Sequence, residues 1–207
     1  PSTVLAMGQV FRYFEAPAYG MGEYCYLYGP SSQEICTDFG FMFDYSSMPD
    51  LTAGEQVPKL LFLMAVAGRL QPSGADLLTY RETLPEYFFY SENMRKVEYW
   101  EHDFIAMLKH QLAMSRPVPA EWSNQSFVID GYYDTDFFHF NFGMGGVLDG
   151  FYLIDFPLVT TDTNHFLLSA FVNYHPKSYL PSPQGLTIAS AGDSLNISWS
   201  LNLPDSL

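Results

Sequence analysis

Few side chains in this sequence could act as a nucleophile or a base, and none forms a complete pair along the chain. Ser2 begins a run with helical spacing, and a serine hydroxyl attacks a carbonyl only when a general base takes its proton. No histidine has a neighbour in sequence that would make it such a base. The five are expected on a charged helix face or near strands: His102, His110, His139, His165 and His175. Asp130 and Asp149 adjoin glycines and are interpreted as turn residues.

Three segments carry a more specific pattern. Residues 6–13 read AMGQVFRY, residues 124–132 read NQSFVIDGY, and residues 138–146 read FHFNFGMGG. Together they resemble the streptopain family of papain-like cysteine peptidases. In that family the histidine segment reads roughly Gly-His-Ala-Phe-Val-x-Asp-Gly-Tyr, and the asparagine segment reads Phe-His-x-Asn-Trp-Gly-Trp-Gly-Gly. The resemblance covers about residues 1–176 and implies a papain-like fold with a cleft between two subdomains.

The resemblance assigns three site positions, and two of them hold unexpected residues. Ser2 occupies the place of the nucleophilic cysteine, Gln125 that of the histidine base, and Asn141 that of the asparagine that orients the histidine. Ser2 and Gln125 lie 123 residues apart, near the roughly 130 residues expected between nucleophile and histidine. The amide of Gln125 cannot accept a proton. Asn141 could still hydrogen-bond to Gln125, and Ser2 is also compatible with a helix N-cap or an engineered Cys→Ser exchange.

The third segment also predicts part of the cleft wall. Phe142 and Met144 replace the two tryptophans of the family pattern, and Gly143 lies between them. All three are therefore expected in the cleft. The glutamine that completes the oxyanion hole in this family precedes the cysteine, so it is expected to be absent from this chain, which is interpreted as a fragment or a processed product.

Composition excludes several classes of function. The net charge is -14 with only 9 Lys and Arg residues, and such an acidic surface repels nucleic acids and anionic membranes. No apolar run is long enough for a transmembrane helix. No cluster of histidines and cysteines indicates a metal site, and no motif indicates a cofactor.

The two cysteines are predicted to face each other in a hairpin. Residues 24–28 and 34–38 flank Gly29-Pro30-Ser31-Ser32, which is typical of a turn. A four-residue loop pairs Tyr28 with Gln33 and places Cys25 opposite Cys36, within reach of a disulfide. Two buried free thiols are the alternative.

Helical periodicity dominates the first half of the chain and short strands dominate the second. Helices are predicted at about 4–14, 55–70, 74–87 and 98–114, and strands at 127–129, 137–140, 151–154 and 166–174. This order predicts an α+β fold with a helical subdomain and an antiparallel β subdomain. Residues 1–176 are predicted to form the peptidase-like domain. Residues 177–207 are predicted to be a linker and a hairpin (186–190 and 195–200) that begins a β-sandwich-like segment.

Three functions remain open. The first is an inactive streptopain relative, secreted or at the surface or periplasm of a bacterium, that binds a peptide or protein in its cleft. The second is an active secreted cysteine endopeptidase, which requires Cys25 or Cys36 to face a histidine. The third is a structural or adhesive surface module whose cleft is filled by Phe142 and Met144.

Overall fold

The computed structural model describes residues 2–49, 54–122, 125–134, 136–154, 168–179, 184–191 and 194–200. Four α-helices are described: α1 (Ser2–Phe14), α2 (Gln56–Ala67), α3 (Tyr80–Tyr87) and α4 (Phe104–Ala113). Short 3-10 helices cover Tyr45–Ser47 and Leu77–Thr79. None of the described helices has the length and hydropathy that a membrane span requires.

Six strands form one antiparallel sheet in the order β3-β8-β4-β5-β6-β7. Their bounds are β3 Arg95–Glu98, β4 Val118–Trp122, β5 Gln125–Tyr133, β6 Phe137–Asn141, β7 Gly150–Leu153 and β8 Leu168–Val172. Two further pairs lie outside this sheet: β1 (Glu23–Tyr28) with β2 (Gln33–Asp38), and β9 (Gln184–Ala191) with β10 (Ser194–Ser200). The predicted hairpin after residue 183 is therefore present, while the domain boundary at 176 stays a prediction.

Helix α1 lies between two hydrophobic cores. One core joins α1, α2, α3 and the β1–β2 hairpin, and the other joins the sheet and α4. Val128 and Phe171 extend from the sheet into the helical core, so the two cores meet at α1. Gly8 allows α2 to approach closely, because a Cβ there would lie 2.7 Å from a methyl carbon of Leu61. This is the predicted α+β arrangement of a helical subdomain and an antiparallel β subdomain.

Two strands were missed, and two helices were predicted to begin too early. The helix predicted at 74–87 begins only at Tyr80, after the 3-10 helix Leu77–Thr79. The apolar spacing in 98–114 predicted a helix, but α4 begins only at Phe104, after the strand β3 (Arg95–Glu98) and a turn. Strand β3 has a single buried residue, Val97, at the edge of the sheet, so it lacks the apolar alternation of a typical strand. Strand β4 contains Pro119, which argues against a strand in sequence-based reasoning.

The β1–β2 hairpin has the predicted register. Cys25 pairs with Cys36, and Tyr28 pairs with Gln33. The two sulfur atoms are bonded at 2.06 Å, and no free cysteine is left. Both residues are exposed on the hairpin, whereas their neighbours Tyr24, Tyr26 and Ile35 pack against the helical core. The bond therefore closes a surface hairpin that covers the helical subdomain.

The double variant Cys25→Ser/Cys36→Ser is expected to unfold more easily. The bond joins residues 11 positions apart, and closing a loop of this size restricts the unfolded chain by about 3 kcal/mol. Urea unfolding of the variant measures the loss, and reduced wild-type protein is the matched control. A loss well below about 1 kcal/mol would contradict the expectation.

Candidate functional site

The start of α1 is bound to strand β5 by three hydroxyl groups. The Oγ of Ser2 accepts a hydrogen bond of 2.9 Å from the backbone N–H of Ser126. The hydroxyls of Thr3 and Ser126 lie 2.9 Å apart, and Thr3 also donates to the carbonyl of Ala75 at 3.0 Å. Strand β6 ends opposite Val128, so Ser126 lies beyond its last residue pair. Ser2 and Thr3 therefore continue the contacts of β5 where β6 stops.

This junction brings Ser2 beside Gln125, because Gln125 directly precedes Ser126 in β5. The Gln125 side chain is partly buried, and its backbone pairs with Trp122 of β4. Among the described residues, no histidine or carboxylate hydrogen-bonds to the Ser2 hydroxyl. A hydroxyl without a base keeps its proton and is a weak nucleophile. Ser2 Oγ thus accepts a hydrogen bond from an N–H, but no described residue around it is a base that could take its proton.

Asn141 lies in a second polar group, further along α1. Its Oδ1 accepts hydrogen bonds from Gln9 Nε2 at 2.5 Å and from the backbone N–H of Gly143 at 3.0 Å. Its Nδ2 lies 3.5 Å from Asp130 Oδ2, and Asp130 Oδ1 lies 2.5 Å from His139 Nδ1. A chain of contacts therefore runs from α1 through Asn141 to the β5–β6 hairpin.

The strand register separates Asn141 from the Ser2–Gln125 junction. Asn141 pairs with Val128 rather than with Gln125, and three strand residues span about 10 Å. Along α1, Gln9 follows Ser2 by two helical turns, also about 10 Å. The hydrogen bond considered between Asn141 and Gln125 is therefore replaced by the bond between Asn141 and Gln9.

A cavity of about 720 Å³ lies next to Asn141. Helices α1 and α2 form one wall, and β5, β6 and residues 143–149 form the other. Leu5, Val57, Leu60 and Leu61 are apolar members of the lining; its polar members include Gln9, Arg12, Asp130, Asn141 and Asp149. A groove between the two subdomains is thus open beside α1, toward the middle of the helix.

The three residues predicted for the cleft have different surroundings. Gly143 lines the cavity with a positive φ of 69°, and a Cβ there would lie 3.4 Å from the Gln9 amide. Phe142 is instead 6% exposed and packs on Phe127, with ring centroids 5.1 Å apart. Met144 is 42% exposed and is not part of the cavity lining. Phe142 continues the buried alternation of Phe138 and Phe140, and the positive φ of Gly143 ends this alternation before Met144.

Sequence reasoning missed the roles of Gln9, Asp130 and His139. His139 was expected to be a sheet residue and lies in β6, but its contact with Asp130 depends on a register shift between Ile129 and Gly131. A bulge of this kind redirects a side chain and is not visible in composition. Gln9 carried a signal, because it is a polar residue among the buried positions of α1. A polar side chain on a buried helix face needs a partner.

His175 predicts a pH dependence of stability. Burial lowers the pKa of His175 to about 4, whereas an unfolded histidine titrates near about 6.5. As pH falls from 6.5 to 4, only the unfolded chain takes up this proton, so the folded state loses stability in that window. Between pH 7.5 and pH 5, wild type should lose about 1 kcal/mol more than His175→Gln, allowing for solvent screening. Urea unfolding at both pH values measures this, and equal losses would contradict it.

The sequence profile described as the Peptidase C10 family matches residues 2–152. The chain belongs to this family. The predicted resemblance to streptopain is confirmed, and the C10 match includes Ser2, Gln125 and Asn141. Membership in C10 accounts for the groove between the two subdomains. It does not determine which residues occupy the catalytic positions.

Two curated relatives have names that agree with the C10 family. The chain is 31% identical over 174 residues to the thiol protease/hemagglutinin PrtT of Porphyromonas gingivalis, across 72% of this chain and 20% of PrtT. It is 30% identical over 82 residues to streptopain of Streptococcus pyogenes, across 36% of this chain and 21% of streptopain. The chain thus spans about a fifth of the length of the curated relatives it matches.

Solved structures agree on the fold. The active wild-type interpain A cysteine protease of Prevotella intermedia superposes with a TM-score of 0.67 at 23% identity, covering 84% of this chain and 82% of interpain A. A prointerpain A fragment from the same organism gives the same TM-score at 22% identity, covering 85% of this chain and 63% of the fragment. The likeness supports the papain-like arrangement of helices and sheet described above.

Proposed function

We infer that this chain is a catalytically inactive C10 homologue that binds a peptide or protein segment in the groove between its subdomains. One observation carries the proposal. The sequence has only two cysteines, and they are bonded to each other on the β1–β2 hairpin. No thiol is therefore available at the start of α1, where Ser2 lies.

The surroundings of Ser2 support the same conclusion. Its hydroxyl accepts the N–H of Ser126, and the neighbouring residue at the base position is Gln125. The loss of catalytic groups that act as a unit lowers the reaction rate on the order of a million-fold. With serine at position 2 and glutamine at position 125, the chain lacks both the thiolate and the base of a cysteine peptidase.

The groove supports a binding role. Its volume of about 720 Å³ is within the range of about 300–1,000 Å³ that is typical of ligand sites. Phe142 does not fill it, because this ring packs into the core of the sheet. An open groove favours binding over the purely structural module, in which these side chains would close the cleft.

The active endopeptidase is the second candidate. The names of PrtT and streptopain and the C10 match favour it. It requires a thiol, however, and the sulfur atoms of both cysteines are engaged in the disulfide. The disulfide also supports an extracellular or periplasmic location for the proposed binding protein, because such bonds persist in oxidising compartments.

Casein and a mixed peptide library test the proposal. We expect no hydrolysis above a buffer control, and we expect saturable binding of library peptides by fluorescence anisotropy. Val57→Trp, which fills the apolar side of the groove, should weaken that binding. Hydrolysis that a thiol-directed reagent blocks would contradict the inactive assignment. Undiminished peptide binding by Val57→Trp would contradict the groove as the binding site.

A further inference from the structure

The groove contains a buried acceptor atom without a partner. Gln9 Oε1 is shielded from solvent, and no hydrogen-bond donor reaches it among the described residues. An unpaired buried polar atom costs roughly 1–3 kcal/mol, so its presence in a native structure marks a place with a functional role or a bound group. Gln9 also lines the cavity beside Asp130 and Asn141.

The neighbouring groups fix the orientation of the Gln9 amide. Asn141 Oδ1 accepts the backbone N–H of Gly143, which can only donate. The atom of Gln9 that contacts Asn141 Oδ1 must therefore be the donor Nε2, at 2.5 Å. This leaves Oε1 as the unpaired atom, so the cavity lacks a donor at this point rather than an acceptor.

The acidic side chains of the cavity lining also favour a hydrogen-bond donor with positive charge. Asp130 and Asp149 both belong to the lining. One oxygen of Asp130 contacts His139, and the other has only the 3.5 Å approach of Asn141. Among the described residues of the lining, Arg12 is the only basic one, and it is engaged by Glu15 at 2.6 Å and by the carbonyl of Met48 at 3.1 Å.

The α1–α2 wall of the groove also offers apolar surface. Leu5, Val57 and Leu61 line it, and Val128 continues it on the sheet side. Lysine and arginine place their methylene stems along apolar surface while the charged end contacts polar groups. The net charge of -14 also raises the local concentration of cationic ligands.

We propose that the groove accepts a lysine or arginine side chain of a bound peptide, with the cationic end at the Asp130 carboxylate, beside the Gln9–Asn141 amide pair, and the stem along the α1–α2 wall. This inference rests on the proposed peptide-binding function and names the class of peptide. It places the recognition element about two helical turns from Ser2, about 10 Å along α1, and therefore apart from the catalytic positions of the family.

Blocked pentapeptides test the proposal. Three fluorescein-labelled peptides share apolar flanks and differ only in the central residue, which is lysine, norleucine or glutamate. Anisotropy titrations should show the lysine peptide binding about tenfold more tightly than the norleucine peptide, the value expected for a hydrogen bond to a charged group. Added salt should reduce this preference. A norleucine peptide with a free N-terminal amine shows whether a main-chain amine can replace the side chain.

Asp130→Asn and Asp149→Asn keep the side-chain shape and remove one negative charge each. Asp130→Asn should remove most of the lysine preference and leave norleucine binding unchanged. Asp134→Asn is the matched control, because Asp134 is exposed in the β5–β6 turn and is not part of the lining. It should change each affinity by less than about twofold. Asp149 Oδ1 already accepts the N–H of Phe142 at 2.8 Å, so Asp149→Asn should lower the lysine preference less than Asp130→Asn does. If Asp130→Asn fails to fold, as judged by its thermal melt, Asp130→Ser takes its place.

The outcomes separate the two proposals. Equal binding of the lysine and norleucine peptides, or unchanged lysine preference in both aspartate variants, overturns the basic side chain and leaves the binding function intact. Tighter binding of the free-amine norleucine peptide than of the lysine peptide also overturns it. Failure of all peptides to bind, with binding equally absent in Val57→Trp, overturns the inference together with the proposed function.

Discussion

The double variant Ser2→Cys/Gln125→His is expected to acquire a thiol that reacts with iodoacetamide at pH 6 about tenfold faster than the thiol of Ser2→Cys alone. The thiolate is the reactive form, and a histidinium partner at a helix N-terminus lowers the pKa of the thiol. The hydrogen bond between Ser2 Oγ and Ser126 N–H places the two substituted positions side by side. The wild-type cysteines form a disulfide, so the introduced thiol is the only one that reports.

Gln125→His alone is the control for this experiment, because it adds the base without a thiol and should show no labelling. Mass spectrometry identifies the alkylated residue. Equal rates for the double variant and for Ser2→Cys would mean that position 125 does not act on position 2. The assignment of these positions as the former catalytic pair would then be wrong.

Phe11→Ala is expected to lower the free energy of unfolding by about 4 kcal/mol, within the range for removing a buried phenylalanine. Phe11 is fully buried in α1 and stacks on Tyr90, with ring centroids 4.7 Å apart. It also meets the edges of Phe43 and Phe88. The substitution leaves a cavity among three rings, and the helix that carries Ser2 and Gln9 loses its main anchor in the helical core.

Urea unfolding measures this loss, and Phe151→Ala is the matched control. Phe151 is 55% exposed on β7, so its removal should cost less than about 1 kcal/mol. Similar losses for the two variants would contradict the central position of α1. A folded Phe11→Ala protein that still binds peptides would show that the groove survives the loss of packing behind it.

The sequence predicted the parts of the fold that depend on local patterns. Helical spacing of apolar residues located α1, and the four-residue loop determined the register between Cys25 and Cys36. Turn signals and alternating aromatic residues located most of the sheet. The strand β3 was missed because a charged edge strand with one buried residue, Val97, lacks such a pattern.

The contacts of the site depend on long-range register, which local patterns do not encode. Asn141 was identified as a site residue, but its partner follows from the pairing of Asn141 with Val128 and from the shift after Ile129. The contact of Gln9 with Asn141 joins residues 132 positions apart. Only the packing of α1 against β5 determines that contact.

The disulfide on the outer hairpin also bears on how the protein withstands oxidants. A thiolate enzyme loses activity when peroxide converts its cysteine to a sulfenic or sulfinic acid. In this chain both cysteine sulfur atoms are joined in a disulfide, so Met48 is the residue of the groove lining that peroxide can oxidise. We therefore expect peroxide to act on ligand binding through the sulfoxide of Met48, a change that reductases can reverse, rather than through a cysteine.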